Sequence, residues 1–530
     1  MPVKDVTRGS EVDERLAALL NNAQALKAVQ SAVEGTIGPK GLDVMLVDRF
    51  GGVTVTNDGV SILSLMEVNH PAARMLVNAA RAQEEEVGDG TTTAAIMAGT
   101  IVEEAVGLIG RGVPVARILA GLRAGRERAL AELQRLSRPV SGSDDQQLLA
   151  VALVAGRGQA DVARAVIAAV RLVGAEELVK PGRKLADAVT SCQGTECEAV
   201  AGVLLEQERL NRLMPEEVQK PRILCLDDAL EPEEVEPEAL RTEAGFARQA
   251  QLLEEFEASL RRLVQLGVGA IFAHRGVDGR AEEYLTEAGV LVIPRLPFRR
   301  LERVAEAVGA RLVKRGSLRK PPEELSAALG RAEAVVVQPD RKLVRIVGGG
   351  GRPAASILVG ATTEEVAAER EREAKDAAAA AQAALREGVV PGGGATELAL
   401  ARVLEAERAK VAGMEGYGLD CLIAALRKPL AQIVQNAGFN PLEKMALAAS
   451  AQAEQGSAEW GIDCDSGEVV NLVERGILDP AAVKRQAIST AVELAEAILR
   501  VNLIIRKRDG AGSADGSDQA GGGGKKEGQL

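Results

Sequence analysis

The sequence predicts a multi-domain protein in which a mainly helical portion is joined to an α/β portion. Three observations predict it. The chain has 530 residues, too many for one ordinary hydrophobic core, so roughly two to four domains are expected. Apolar residues recur at helical spacing through the first third, whereas past about residue 200 short apolar runs alternate with helical patterns, as in an α/β layer. Aromatics make up only 2% of a chain that is 46% hydrophobic. The cores must therefore be built from Ala, Val, Leu and Ile, which favours closely packed helices with some buried strands.

Residues 11–34 place Leu16, Leu19, Leu20, Ala23, Leu26, Val29 and Val33 on one helical face, and Gly35 is expected to cap it. TIGPKG (36–41) reads as a turn. DVMLVDRFGGVTVTND (43–58) alternates across a glycine pair and reads as a β-hairpin ending at Asn57-Asp58-Gly59. Further on, RILCLDD, AIFAH, VLVIP and ARLV are expected strands, with helices at 278–288 and 299–308 between several of them. Phe246, Ala250, Leu253, Phe256, Leu260 and Leu263 recur at helical spacing, behind an acidic, proline-punctuated lead-in (230–245) expected to project into solvent. Residues 364–387 read as a charged, then alanine-rich helix that ends at a glycine turn, GVVPGGGATE, opening another helix. A last helix is expected from Asp479 as N-cap and Pro480 at its first position to about Arg506, followed by a disordered tail at 510–530. No repeat of solenoid period is present.

The formal net charge is −12 and no basic stripe stands out, which argues against nucleic acid or an anionic membrane as the main partner. No signal-peptide pattern and no uninterrupted apolar run of membrane-spanning length is evident, so a cytoplasmic protein is expected. The scattered cysteines fit reduced thiols. Cys192 and Cys197 suggest a metal pair only weakly, because His70 and His274 lack ligand spacing.

The stretch EEEVGDGTTTAAIMAGTIVEEA (84–105) sets glycines and hydroxyls at the mouth of an apolar helix. Free amides at a helix N-terminus can hold phosphate oxygens, and Gly88 and Gly90 let the backbone approach closely. Thr91, Thr92 and Thr93 add hydroxyl donors. Asp89 repels phosphate directly, but the conflict disappears if Mg²⁺ sits between them. The plainer alternative is that Asp89 caps the helix and the threonines merely begin it. No Walker A pattern occurs, so a phosphate site here is not an ordinary P-loop. TIGPKG, VTNDG and PGGG are similar glycine turns, and Asp58 and Asp376 are single carboxylates beside such elements; each alone is weak.

Taken in order, TIGPKGLDVMLVD (36–48), TVTNDGVSIL (54–63), HPAARMLV (70–77), VGDGTTTAAIMAG (87–99), EGVVPGGGATE (387–397), NPLEKM (440–445), WGIDCDSGEV (460–469) and ILDPAAVKRQAI (477–488) resemble a chaperonin over nearly the whole chain. HPAA, MPEEV (214–218) and QLGVGAIFAHRGVDGRAEEYLTEAGVLVIPRL favour the group II type, thermosome-like or of the related bacterial group III lineage. The resemblance implies a mainly α equatorial domain (1–140 and 392–530), an α/β intermediate hinge domain (141–200 and 362–391) and an α/β apical domain (201–361). The helical segment around 231–258 would be a built-in lid.

By carry-over, the resemblance implies that Thr36, Ile37, Gly38 and Pro39 line an ATP molecule and that Gly90, Thr91, Thr92 and Thr93 cradle its phosphates. Asp89 would hold Mg²⁺, with K⁺ a further candidate ion. Gly393, Asp463 and Asp479 would lie at the ribose and adenine side, although helix capping alone would also account for Asp479. Asp58 and Asp376 would orient and polarise the attacking water, and Arg157 would take the place of a phosphate-sensing lysine. The sequence departs from the family at AKDAAAA around Asp376, at Arg157 itself, and at VGAT (359–362), where a double glycine is usual. The implied function is ATP-dependent folding of non-native proteins inside a double ring of identical subunits, eight-fold, without a separate lid protein. Phe246 and Phe256 read either as client-binding apolar residues or as core. A ring-forming holdase with a weak or decayed ATPase is the alternative, and retention of Asp58, Asp89 and Asp376 together argues against it. A metabolic kinase lacks any supporting acceptor motif.

Overall fold

The computed structural model describes residues 11–501 apart from 195 and 237; the predicted tail and the last residues of the final predicted helix lie outside them. Small side chains govern the first core. Its axis is helix Thr91–Gly110, packed by helices Glu11–Val33, Gly416–Asn436 and Ala481–Leu499. That helix is long and apolar enough to cross a membrane by composition, yet Ile96, Met97, Ile101 and Val102 are all buried inside the protein. Helices Val115–Leu136 and Gly416–Asn436 cross at two glycines: a Cβ on Gly121 would lie 1.9 Å from the Glu415 carbonyl, and one on Gly418 2.2 Å from that of Ile118. Only hydrogen fits there. The buried residues run from Leu19 to Leu133 and again from Val390 to Leu499, so both ends of the described chain build one core.

Two local expectations fail here. Leu20 is 47% exposed although Leu19, Leu26, Val29 and Val33 are buried; it lies about 100° round the helix from Leu19, off the apolar stripe. Gly35 is not a left-handed cap. The helix tightens instead into a 3₁₀ turn, Glu34–Thr36, in which the Thr36 hydroxyl donates to the Val33 carbonyl at 2.8 Å. The expected hairpin is present: Val44–Val47 pairs antiparallel with Val53–Thr56.

The middle of the chain forms a second core on two four-stranded sheets. In one, Arg222–Leu226, Val268–Ala273 and Leu291–Ile293 run parallel, with Gly330–Arg331 antiparallel at the edge. ARLV does not extend it as a strand; Val313 makes one isolated bridge to Leu226. The other sheet is antiparallel, ordered Val203–Glu206, Leu343–Val347, Ala334–Gln338, Glu217–Gln219. Helix Glu243–Gln265 buries Phe256, Leu260 and Leu263 against this core, whereas Phe246, near its start, is 71% exposed.

A third core lies between the other two in sequence. Strand Ala355–Ala361, buried along its whole length, pairs parallel with Val189–Gln193 and antiparallel with Cys197–Ala201. Helices Gln146–Ala155, Ala160–Val173 and Glu364–Glu387 cover it. The last lies close because its buried face is alanine: Ala374, Ala377, Ala378, Ala381 and Ala384. A Cβ on Gly360 would lie 2.7 Å from the Glu196 carbonyl, so this glycine is required, while Ala361 fits as a buried residue. Cys192 and Cys197 pair with consecutive residues, Gly360 and Val359, and so point to opposite faces. They remain free thiols. Arg303, on helix Phe298–Val308, ties the second core to the third by donating to the carbonyls of Asp187 (2.9 Å) and Ala355 (2.7 Å) and to Ser356 Oγ (2.7 Å). Burial pulls its guanidinium down to about 10.

Candidate functional site

Helix Thr91–Gly110 opens on Gly90, held left-handed at φ 80°, with no side-chain cap. Asp89 is thus not the cap of this helix: its Oδ1 takes only the Gly90 amide, at 2.5 Å. The first-turn amides stay available, and the hydroxyls of Thr91, Thr92 and Thr93 make no hydrogen bond with the described residues. Gln83, fully buried, fixes the loop by donating to the Asp89 carbonyl at 2.9 Å and to that of Val483 at 3.4 Å. A Cβ on Gly59 would lie 2.2 Å from Thr92 Oγ1, so the Asp58-Gly59 turn rests directly on the threonines. Asp58 itself caps helix Gly59–Leu65 through the amides of Val60 (3.2 Å) and Ser61 (3.0 Å).

Asp376 enters from the third core. Helix Glu364–Glu387 packs onto the loop so closely that a Cβ on Gly88 would lie 2.4 Å from Ala379 Cβ, and Asp376 sits one turn earlier. Burial raises its carboxyl well above the ordinary value, and Asp89, Glu84 and Asp58 raise it further, while Arg157 opposes them. Asp89 is pushed up to about 6, first by burial and then by Asp479. Glu84 is pushed up to about 7 by burial, then by Asp89 and Asp58. Arg157, exposed and held left-handed at φ 53°, stands at this cluster; that conformation is strained for a residue with a Cβ. Gln159, two residues on, donates to Glu373 of helix Glu364–Glu387.

The remaining predicted residues lie on the 36–41 turn, the turn carrying Asp463, the glycine turn at 392–394 and the strand carrying Asp479. Gly38 is left-handed at φ 88°, and a Cβ there would press on Ile433 at 3.0 Å. Asn436 fixes this turn through the carbonyls of Glu34 and Ile37, both at 2.9 Å. Thr36 spends its hydroxyl on Val33 and is buried, so only its backbone is offered to a ligand; Ile37 is half-buried and Pro39 exposed. Lys40 pairs with Asp465 at 2.6 Å, which brings the 36–41 turn beside the turn carrying Asp463. Asp463 there accepts the Asp465 amide at 2.8 Å. Gly393, at φ 58°, lies in the glycine turn between strand Val389–Pro391 and helix Ala395–Arg408. Asp479 is not an N-cap: it belongs to strand Leu478–Pro480, opposite Val390, and helix Ala481–Leu499 begins after it without a side-chain cap. Its carboxylate instead meets Lys484 at 2.6 Å.

Sequence reasoning missed Gln83, Glu84, Glu397, Lys484 and Ala379. For two of them a signal existed. Lys484 shares a helical face with Ile488, Ala491 and Ala495, and Glu397 shares one with Leu400, Ala401 and Leu404, so each is a charge at a core position. Glu84 is hidden in an acidic run that reads as a solvated face.

The site fits a magnesium-bound polyphosphate. An uncapped helix mouth with free hydroxyls suits phosphate oxygens. The crowded carboxyls of Glu84, Asp89 and Asp376 hold protons against their ordinary preference, which calls for a cation beside them. Among the described residues no three ligand side chains converge to cage a metal unaided, and Mg²⁺ needs only one or two carboxylates with phosphate oxygens.

A helix mouth on a core built by both chain regions, with Asp376 brought beside it from a third core, fits a chaperonin-type subunit. The chain belongs to the TCP-1/cpn60 chaperonin family, whose profile matches residues 29–509. It is 33% identical to a thermosome subunit of Methanocaldococcus jannaschii, with 94% of each chain covered. It is 34% identical to thermosome subunit 1 of Haloferax volcanii, over 95% of this chain and 91% of that one. A group III chaperonin crystallised in the open state superposes with a TM-score of 0.80 at 44% identity, covering 93% of this chain and all of the other.

Proposed function

We propose that this chain is the subunit of an ATP-driven chamber that encloses non-native proteins and promotes their folding. One observation carries the reading: Asp376 belongs to a hinge helix of one core, yet shares its electrostatic surroundings with Asp58 and Asp89 at the uncapped helix mouth of another. In this reading the first-turn amides and the hydroxyls of Thr91, Thr92 and Thr93 seat the phosphates of ATP, and Asp89 holds Mg²⁺. Bound Mg²⁺ supplies charge neutralisation at the phosphate oxygens. Asp58 and Asp376 orient the attacking water, Asp376 with a carboxyl basic enough to accept its proton. Arg157 senses the terminal phosphate. The 36–39 turn, Gly393, Asp463 and Asp479 embrace the nucleoside.

The three cores support an equatorial domain (1–140 and 392–530), a hinge domain (141–200 and 362–391) and an apical domain (201–361) with its lid at 231–258. Because Asp376 moves with the hinge, the catalytic set is complete only when the hinge closes, which couples turnover to lid movement. The hairpin at 44–56 supports assembly with identical subunits: Met45, Val47, Val53 and Val55 are 48–65% exposed on a two-stranded sheet with open edges. Phe246 is exposed on the lid, whereas Phe256 is core.

Electron microscopy of the purified protein with and without MgATP, alongside recovery of a chemically denatured client enzyme, tests this reading. Closed double rings that form only with ATP, and ATP-dependent recovery, are expected. A particle that does not respond to ATP would leave a holdase or scaffold instead.

A further inference from the structure

Lys484 sits on the first turn of helix Ala481–Leu499, next to Val483, whose Cγ1 would lie 2.6 Å from a Cβ on Gly90. Only 8% exposed, it places its ammonium 2.6 Å from Glu397 Oε1 and 2.6 Å from Asp479 Oδ2. Glu397 is 1% exposed, and its other oxygen, Oε2, is buried with no hydrogen-bond partner among the described residues. The second oxygen of Asp479 points to the glycine turn, 3.0 Å from where a Cβ on Gly392 would be. One ammonium therefore holds two carboxylates beside the helix mouth. Burial disfavours its charge, yet Asp479 and Glu397 keep it charged well above the ordinary lysine range. The Asp479 field reaches Asp89, where it ranks next after burial in raising the carboxyl.

We infer that Lys484 is a positioning residue of the nucleotide site: a fixed buried counter-ion that offsets the charge of Asp479 and Glu397 so that a nucleoside triphosphate can be seated beside them. The inference rests on reading the helix mouth as an ATP site. Without the ammonium, two uncompensated carboxylates would stand near the helix mouth, and their through-space repulsion would grow with each phosphate the nucleotide carries. A purely structural strut between two helices would weaken all nucleotides alike.

Titration calorimetry of the assembled protein with ATP, ADP and AMP in excess Mg²⁺ separates these. Lys484→Met alone leaves Glu397 bare in the core, so the informative variant is Lys484→Met/Glu397→Gln, which removes that buried charge while Asp479 stays unpaired. We expect it to bind ATP about tenfold or more weakly, ADP less so, and AMP within about twofold of the parent. Lys484→Arg, which keeps the charge, should stay within about threefold for all three. Equal losses for AMP and ATP, ATP affinity unchanged in the double variant, or a tenfold ATP loss in a folded Lys484→Arg would each overturn the inference. A parent protein that binds no MgATP would overturn the site reading itself.

Discussion

Glu84 and Asp89 hold protons to about pH 7 and 6 because burial disfavours their charge and other carboxyls stand near. Between about pH 4 and 7 the folded protein binds protons that the unfolded chain has released, so stability should rise as pH falls across that window. Each group is worth on the order of 3 kcal/mol over the full window. Thermal melts of the nucleotide-free, Mg²⁺-free protein from pH 8 to pH 5 should show the gain, and Glu84→Gln should reduce it. Saturating MgADP should flatten the curve, since the cation replaces the protons. A melting temperature that falls on acidification through this range would contradict the charge picture. At this scale Asp89 was legible from its glycines and threonines, because backbone freedom and hydroxyls at a helix mouth are a local pattern. Asp376 was not: 287 positions separate it from Asp89, and only the family resemblance joined them.

Asp376 is carried by helix Glu364–Glu387, whose alanine face lets Ala379 touch the backbone at Gly88. Ala379→Leu should wedge this helix off the loop at Gly88. Overpacking of this kind costs about 1–3 kcal/mol, but a displacement of about 1 Å at the reacting groups costs on the order of 100-fold in rate. Phosphate release should therefore drop at least ~10-fold while MgATP affinity stays within about threefold, as read by a coupled assay and calorimetry. Unchanged turnover would mean that this contact does not set the catalytic geometry. Long periodic helices were legible in the sequence; their ends were not. Gly35 and Asp479 carry typical cap chemistry, but the Thr36 hydroxyl closes the first helix and the pairing of Asp479 with Val390 draws it into a strand. The first is a contact three residues long that the glycine signal masks; the second depends on a partner strand that local sequence does not encode.

For the whole molecule, composition foretold close helix packing and the alternation past residue 200 foretold the α/β core, but neither revealed that one core is interrupted by two others. Nesting is set by which faces bury against which, and no local period records it. In the proposed function it is also what lets the hinge complete the site. The most direct test of that claim is steady-state phosphate release by assembled Asp376→Ala, with MgATP binding measured on the same preparation. The account predicts binding within about threefold of the parent and turnover reduced by about 100-fold or more. Turnover equal to the parent's in rings that bind ATP normally would contradict it.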